Sequence, residues 1–151
     1  MNNYNKIPQG YIKSLKIIHL ALVIGQIMFL VISVIINRMI GPMYSGDKSM
    51  NTLLFYVVPL LTIGCVVVSM MFYKSKISQV HESDDLDIKL SVYRSANIIR
   101  FALLETPSFL AILAYLFSGN WIFLMYMVII VVFFFVFRPT IENFSKEMKL
   151  K

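Results

Sequence analysis

The chain has 151 residues, of which 58% are hydrophobic and 15% charged, and its formal net charge is +6. Soluble domains are roughly 45–50% apolar and about 25% charged, so this composition indicates a protein whose surroundings are largely lipid. It excludes an intrinsically disordered chain, a nucleic-acid-binding module and a disulfide-stabilised scaffold. With one Cys and two His, the chain is expected to hold no metal and no other cofactor.

Four segments are apolar enough to be transmembrane helices, and they cover approximately residues 17–37, 53–73, 92–117 and 121–137. A helix needs about 20 apolar residues to cross roughly 30 Å of hydrocarbon, and the fourth segment falls just short of that length. The first is longer than the apolar core of a secretory signal, which has about 7–15 residues, so it is predicted to be a permanent span.

Turn and cap residues predict where the third helix begins and ends. Ser83 or Asp84 is suited to cap its start, and Asp87 in the first turn is favoured by the helix dipole. Gly119 suits a helix end in the left-handed region, and the short loop around it makes the third and fourth spans antiparallel neighbours. The third helix is therefore expected to run from about residue 84 to residue 118, roughly 50 Å, and to extend beyond the bilayer.

The Lys and Arg distribution predicts the orientation of the spans. Eleven cations fall on the side of the two termini: Lys6, Lys13, Lys16, Lys74, Lys76, Lys89, Arg94, Arg138, Lys146, Lys149 and Lys151. Only Arg38 and Lys48 lie on the other side, and Arg100 lies within a span. Because cytoplasmic loops carry the excess of Lys and Arg, both termini and a loop at 74–90 are predicted to be cytoplasmic.

The predicted fold is all-α. A single membrane domain over residues 1–151 forms an integral membrane four-helix bundle, antiparallel and up-down-up-down. Its cytoplasmic tail, residues 138–151, carries Ile141, Phe144 and Met148 at helical spacing opposite several Lys residues. That pattern predicts a short amphipathic helix that rests on anionic headgroups.

Polar residues line one face of the first span, at intervals of seven, seven and four: His19, Gln26, Ser33 and Asn37. These intervals keep the four side chains within about 40° of arc on a helical wheel. Asn97 belongs to a comparable face of the third span. Such faces are either the contact surfaces of a helix bundle, joined by weak hydrogen bonds, or the walls of a polar pathway or ligand pocket.

Two charges fall inside the third span. Arg100 is expected roughly 9 Å below the inner boundary, where its long side chain can reach the headgroups. Glu105 is expected about 16 Å deep, so its carboxyl must be neutral, paired or in contact with water. Its candidate partners are Arg100 of the same or a neighbouring chain, His19 and Gln26. Pro107 is expected to kink this helix beside Glu105 and to free a backbone carbonyl there.

Two proton-coupled families differ from this chain in their motifs. Rotary ATPase proteolipids are rich in Gly and Ala, whereas this chain has only six Gly. Small multidrug-resistance transporters carry their acid in the first helix, where this chain has His19 and Gln26. On the stretch Arg100 to Pro107, the chain resembles a family of small four-helix inner-membrane proteins of bacteria. The resemblance implies that fold and a multi-pass location in the bacterial inner membrane, and it implies no activity.

The sequence contains no nucleophile elbow, phosphate-binding glycine loop, zinc-protease motif or paired carboxylates. We therefore expect no catalytic residue and no enzyme. The leading hypothesis is a noncatalytic subunit or accessory factor whose partners are the lipid bilayer and a homo-oligomer or larger membrane complex. The alternative is a small oligomeric transporter or proton-coupled channel that uses Glu105.

Overall fold

The computed structural model describes residues 9–43 and 48–150, which form five helices and no strand. The helices are α1 (Gln9–Ile40), α2 (Lys48–Ser78), α3 (Leu86–Ser118), α4 (Ile122–Val136) and α5 (Ile141–Glu147). By length and composition, α1, α2 and α3 can each cross a membrane. This confirms the prediction of an all-α chain whose helices are long and apolar enough to cross a membrane. Two cations used to predict the orientation, Lys6 and Lys151, lie outside the described ranges.

The fourth predicted span is shorter in the structure. α4 has 15 residues, about 22 Å, and it qualifies as a span only when joined to α5, from which it is bent by 70°. The sequence explains the break, because Pro139 has no N–H with which to continue the helix. Thr140 then caps α5, since its Oγ1 accepts a hydrogen bond from the backbone N–H of Asn143 at 3.1 Å.

α3 lies at the centre of the molecule and packs against α1, α2 and α4. Three fully buried small residues on α3, Ala96, Ala111 and Ala114, allow its neighbours to approach closely. α1 and α2 have little contact with each other. Between them, one face of α3 therefore stays uncovered.

The short helix α5 packs into the protein instead of resting outside it. Phe144 and Met148 are fully buried in a cluster with Ile12, Leu15 and Tyr93. The rings of Tyr93 and Phe144 meet edge to face, with 5.1 Å between their centroids. The prediction of a tail resting on headgroups is therefore wrong for these apolar side chains, because the ends of α1, α2 and α3 provide an apolar surface that covers them.

The start of α3 differs from the prediction by one or two residues. Asp85 occupies the N-cap position, and its side chain makes no capping hydrogen bond. The Asp84 side chain instead stabilises the preceding turn, where its Oδ2 accepts a hydrogen bond from the His81 N–H at 2.7 Å. Ser83 and Asp84 therefore shape the loop before α3 and do not cap the helix.

The end of α3 is as predicted. Gly119 has a φ of 68°, and its N–H donates to the Tyr115 carbonyl at 2.8 Å. A Cβ at this position would lie 3.1 Å from Pro42, which belongs to the segment that follows α1. Gly119 thus serves both the helix end and the close approach of two chain segments.

Replacing Gly119 by Ala is expected to destabilise the protein by about 1–2 kcal/mol, because Ala is strained at positive φ and would crowd Pro42. Reversible unfolding in mixed micelles of a nonionic detergent and dodecyl sulfate measures this difference. Gly64→Ala is the matched control, since Gly64 lies within α2 and a Cβ there has no atom within 4 Å. The control should be neutral or stabilising, and equal losses in both variants would contradict the role assigned to Gly119.

Candidate functional site

The polar face predicted for α1 lies against α3 and α4. His19 is buried, and its Nε2 donates a hydrogen bond to the Phe134 carbonyl at 2.7 Å. That carbonyl is among the last four of α4, which have no partner within the helix. The His19 ring also lies 5.2 Å from the Phe101 ring, centroid to centroid. His19 thereby joins α1, α3 and α4.

Two further residues of this face bind α3. Ser108 Oγ donates to Gln26 Oε1 at 3.0 Å, and Asn37 Nδ2 donates to the Tyr115 carbonyl at 2.8 Å. From His19 through Gln26 to Asn37 the residue numbers increase along α1. The residue numbers of their contacts on α3 increase in the same order, so the two helices run in the same direction. These hydrogen bonds between helices are what we expect if the polar face is a contact surface within the helix bundle.

Three buried polar atoms along the same face have no hydrogen-bond partner in the described part of the chain: Gln26 Nε2, Ser33 Oγ and Asn37 Oδ1. A buried polar group without a partner is unfavourable by about 1–3 kcal/mol, so such atoms are commonly satisfied by water. This column of atoms is the feature that keeps the polar-pathway hypothesis open.

The two charges of α3 are not brought together. The guanidinium carbon of Arg100 lies 3.3 Å from the centroid of the Tyr73 ring and 4.5 Å from that of the Phe137 ring. Arg100 thus points to α2 and to the residue after α4, and it forms no ion pair with Glu105 among the described residues. The reason is geometric, because residues five apart on a helix are turned about 140° from each other.

A cleft of about 480 Å³ lies beside Arg100, where α2, α3, α4 and α5 meet. We call it the Arg100 cleft, and it is lined by Tyr73, Tyr93, Asn97, Arg100, Val136, Phe137, Arg138, Asn143, Lys146 and Glu147. Within it, the Tyr73 hydroxyl donates to Glu147 Oε2. Asn97 Nδ2 donates to the Tyr93 carbonyl at 2.8 Å, on its own helix. The cleft therefore has three cations and one carboxylate on an aromatic wall.

Glu105 lies apart from the Arg100 cleft. It is half-buried at the margin of the uncovered face of α3, and we call the face formed by Ile98, Ala102, Thr106 and Phe109 the open face. Phe109 lies at the edge of the open face, where its ring contacts that of Phe29 on α1 with 5.3 Å between the centroids and the residue stays 37% exposed. Thr106 Oγ1 is used locally and donates to the Ala102 carbonyl at 3.1 Å. Among the described residues, Glu105 has no hydrogen bond and no ion pair, so neither His19, Gln26 nor Arg100 of the same chain is its partner.

Pro107 is buried within α3, which is continuous from Leu86 to Ser118. The helix is therefore not broken at Pro107, and the kink stays a prediction.

Sequence reasoning missed the residues that surround Arg100. The sequence patterns place Tyr73 only at the end of the span at 53–73, and Lys146 and Glu147 only within the tail at 138–151. The signal that could have placed them was the Pro139–Thr140 pair, which predicts a helix break and a return of the chain toward the bundle.

The described residues hold no group of three or more His, Cys, Asp or Glu side chains that could bind a metal ion. No family model, no curated protein and no solved structure matches this chain. Its function must therefore be argued from its own residues.

Proposed function

We propose that this chain is a noncatalytic subunit or accessory factor of a membrane assembly, and that a transmembrane helix of its partner packs on the open face beside Glu105. In this proposal α1 to α4 cross the bilayer up-down-up-down, with both termini in the cytoplasm. The resemblance to small inner-membrane proteins supports the bacterial inner membrane as its location.

The observation that carries this proposal is the isolation of Glu105. A carboxyl group near the middle of a membrane is unfavourable by about 2.5–3.5 kcal/mol on insertion scales, and such groups are almost always paired or in contact with water. Glu105 has no partner among the described residues, and it borders the one face of α3 that α1 and α2 leave uncovered. A partner helix in that position would supply both the missing hydrogen bond and the missing packing.

The chemistry of the open face favours a different protein over a second copy of this chain. The face presents Ile98, Ala102, Thr106 and Phe109 around Glu105, and it carries no cation. Two copies joined through it would bring two carboxyl groups together. Arg100 of a second copy would have to leave its two aromatic rings to reach Glu105. The expected partner helix carries a Lys, Arg or amide side chain at the depth of Glu105.

Site-specific photo-crosslinking in native membranes tests this proposal. A photoreactive residue at Phe109, on the open face, is expected to crosslink to one discrete membrane protein. Glu105→Leu should reduce that crosslink about tenfold, because it removes a hydrogen bond to a desolvated acid, whereas Glu105→Gln should retain it. The matched control places the photoreactive residue at Phe135, which is exposed on α4, and it should crosslink mainly to lipid.

Equal crosslinks from Phe109 and Phe135, or a crosslink from Phe109 that survives Glu105→Leu unchanged, would refute docking on the open face. A product with twice the mass of this chain would identify a second copy as the occupant and would also refute the proposed heterologous partner.

The column of unpaired polar atoms on Gln26, Ser33 and Asn37 favours a second candidate, a small oligomeric transporter or proton-coupled channel that uses Glu105. Proton flux into liposomes that contain the purified protein separates the two candidates. Infrared titration of wild type against Glu105→Gln reports the carboxyl directly. Flux that disappears in Glu105→Gln, with a carboxyl band that titrates between about pH 5 and pH 8, would favour transport over the subunit role.

A further inference from the structure

We infer that the Arg100 cleft binds the phosphate group of an anionic phospholipid. This site is separate from the open face, so the inference does not depend on the proposed partner. Its choice of a lipid as the source of the phosphate depends on the membrane orientation proposed above.

Arg100 is built as a preorganised donor. Its guanidinium lies against the faces of Tyr73 and Phe137, at 3.3 Å and 4.5 Å from the ring centroids, so cation–π contacts hold the group in place. Neither ring offers an oxygen or nitrogen acceptor to the five N–H donors of the guanidinium. Within the described part of the chain no acceptor binds these donors, and the buried Nε has no hydrogen-bond partner.

The charges of the cleft favour an anion. Arg138 and Lys146 line it together with Arg100, and both have exposed side chains at its rim. Its single carboxylate, on Glu147, already accepts the hydroxyl hydrogen bond of Tyr73. The cleft therefore has one guanidinium without an acceptor inside and two exposed cations at its rim. Arg–phosphate pairs are frequently bidentate, and Lys supplies a point charge to the same group.

The size and place of the cleft favour a lipid headgroup. Its volume of about 480 Å³ lies within the roughly 300–1,000 Å³ typical of ligand sites. It opens where α4 ends and the chain turns by 70° into α5. In the proposed orientation this turn is at the cytoplasmic headgroups, and basic pockets between transmembrane helices on that side bind anionic headgroups. The exposed Val136 at the cleft provides an apolar wall for the start of an acyl chain.

Native mass spectrometry of the full chain, delipidated in a nonionic detergent, tests this inference. Phosphatidylglycerol is titrated against phosphatidylcholine, and glycerol 3-phosphate and inorganic phosphate are added as competitors. Wild type is expected to retain one phosphatidylglycerol per chain, with at least about tenfold preference over phosphatidylcholine. Millimolar glycerol 3-phosphate should displace little of it.

Variants assign the binding to the cleft. Arg100→Gln is expected to weaken phosphatidylglycerol binding about tenfold or more, and Arg100→Lys should fall between that variant and wild type, because Lys keeps the charge and loses the planar fork. Lys146→Gln, on an exposed position where misfolding is not expected, should weaken it about threefold. Lys74→Gln is the matched control, since it removes the same charge from an exposed position outside the cleft, and it should have no measurable effect.

Equal binding of the two lipids, or equal losses in Lys146→Gln and Lys74→Gln, would overturn the inference. Displacement of the lipid by glycerol 3-phosphate or phosphate at the lipid's own concentration would assign the cleft to a soluble phosphate compound and overturn the lipid assignment. None of these three results would alter the crosslinking expected from the open face, so a failure of the lipid site can be distinguished from a failure of the proposed partner.

Discussion

Replacing Phe144 by Ala is expected to destabilise the protein by about 3–5 kcal/mol, the range typical of large aromatic truncations in a packed core. Phe144 is fully buried, although it belongs to a helix of only seven residues near the end of the chain. Its ring meets Tyr93 of α3 edge to face, and Ile12 and Leu15 of α1 belong to the same cluster. The truncation would therefore leave a cavity among three helices that no single helix can close.

Unfolding in mixed micelles measures this loss, and Phe135→Ala is its matched control. Phe135 lies nine residues earlier and exposes 56% of its surface on α4. Its truncation creates no cavity and should change the free energy of unfolding by less than about 1 kcal/mol. A small effect of Phe144→Ala, close to that of Phe135→Ala, would show that α5 does not pack against the bundle, and it would remove one wall of the Arg100 cleft.

The second large effect is expected at His19, where replacement by Ala should destabilise the protein by about 2–4 kcal/mol. The substitution removes the hydrogen bond to the Phe134 carbonyl and leaves that carbonyl buried without its side-chain partner. It also removes a ring that contacts Phe101 and Phe134 at 5.2 Å and 5.7 Å.

His81→Ala is the control for His19→Ala, because the two positions carry the same residue in opposite environments. The His81 side chain is 79% exposed, and its ring approaches Asp84 only at 4.0 Å. An exposed pair of this kind contributes about 0–1 kcal/mol to stability, so His81→Ala should change the free energy of unfolding only slightly. Comparable losses at the two positions would contradict the assignment of His19 as the residue that joins α1, α3 and α4.

The two functional proposals use different faces of α3. Arg100 and Glu105 lie five residues apart, and this spacing turns them about 140° from each other. Arg100 is thereby directed to the rings of Tyr73 and Phe137, while Glu105 reaches the margin of the open face. The lipid phosphate and the partner helix that we propose would therefore occupy different sides of α3 and would not compete.

Local patterns in the sequence determined where the long helices lie and where α3 and α4 end. Long apolar segments place α1 to α3, without a charge in the first two spans and despite the two charges in the third, because a span requires about 20 predominantly apolar residues. Gly119 and Pro139 mark helix ends through their own backbone chemistry, and the spacing of His19 and Gln26 places them on one inward face. These features depend on contacts within one or two turns, so they can be predicted without a fold.

The tertiary structure alone decided the partners of the polar side chains. A long guanidinium can reach several neighbours, and only the return of α5 and the position of α2 direct Arg100 to Tyr73 and Phe137. The isolation of Glu105 likewise follows from the separation of α1 and α2, which no spacing within α3 reveals. Helical periodicity specifies the face on which a residue lies, whereas the packing of the other helices determines whether that face is covered.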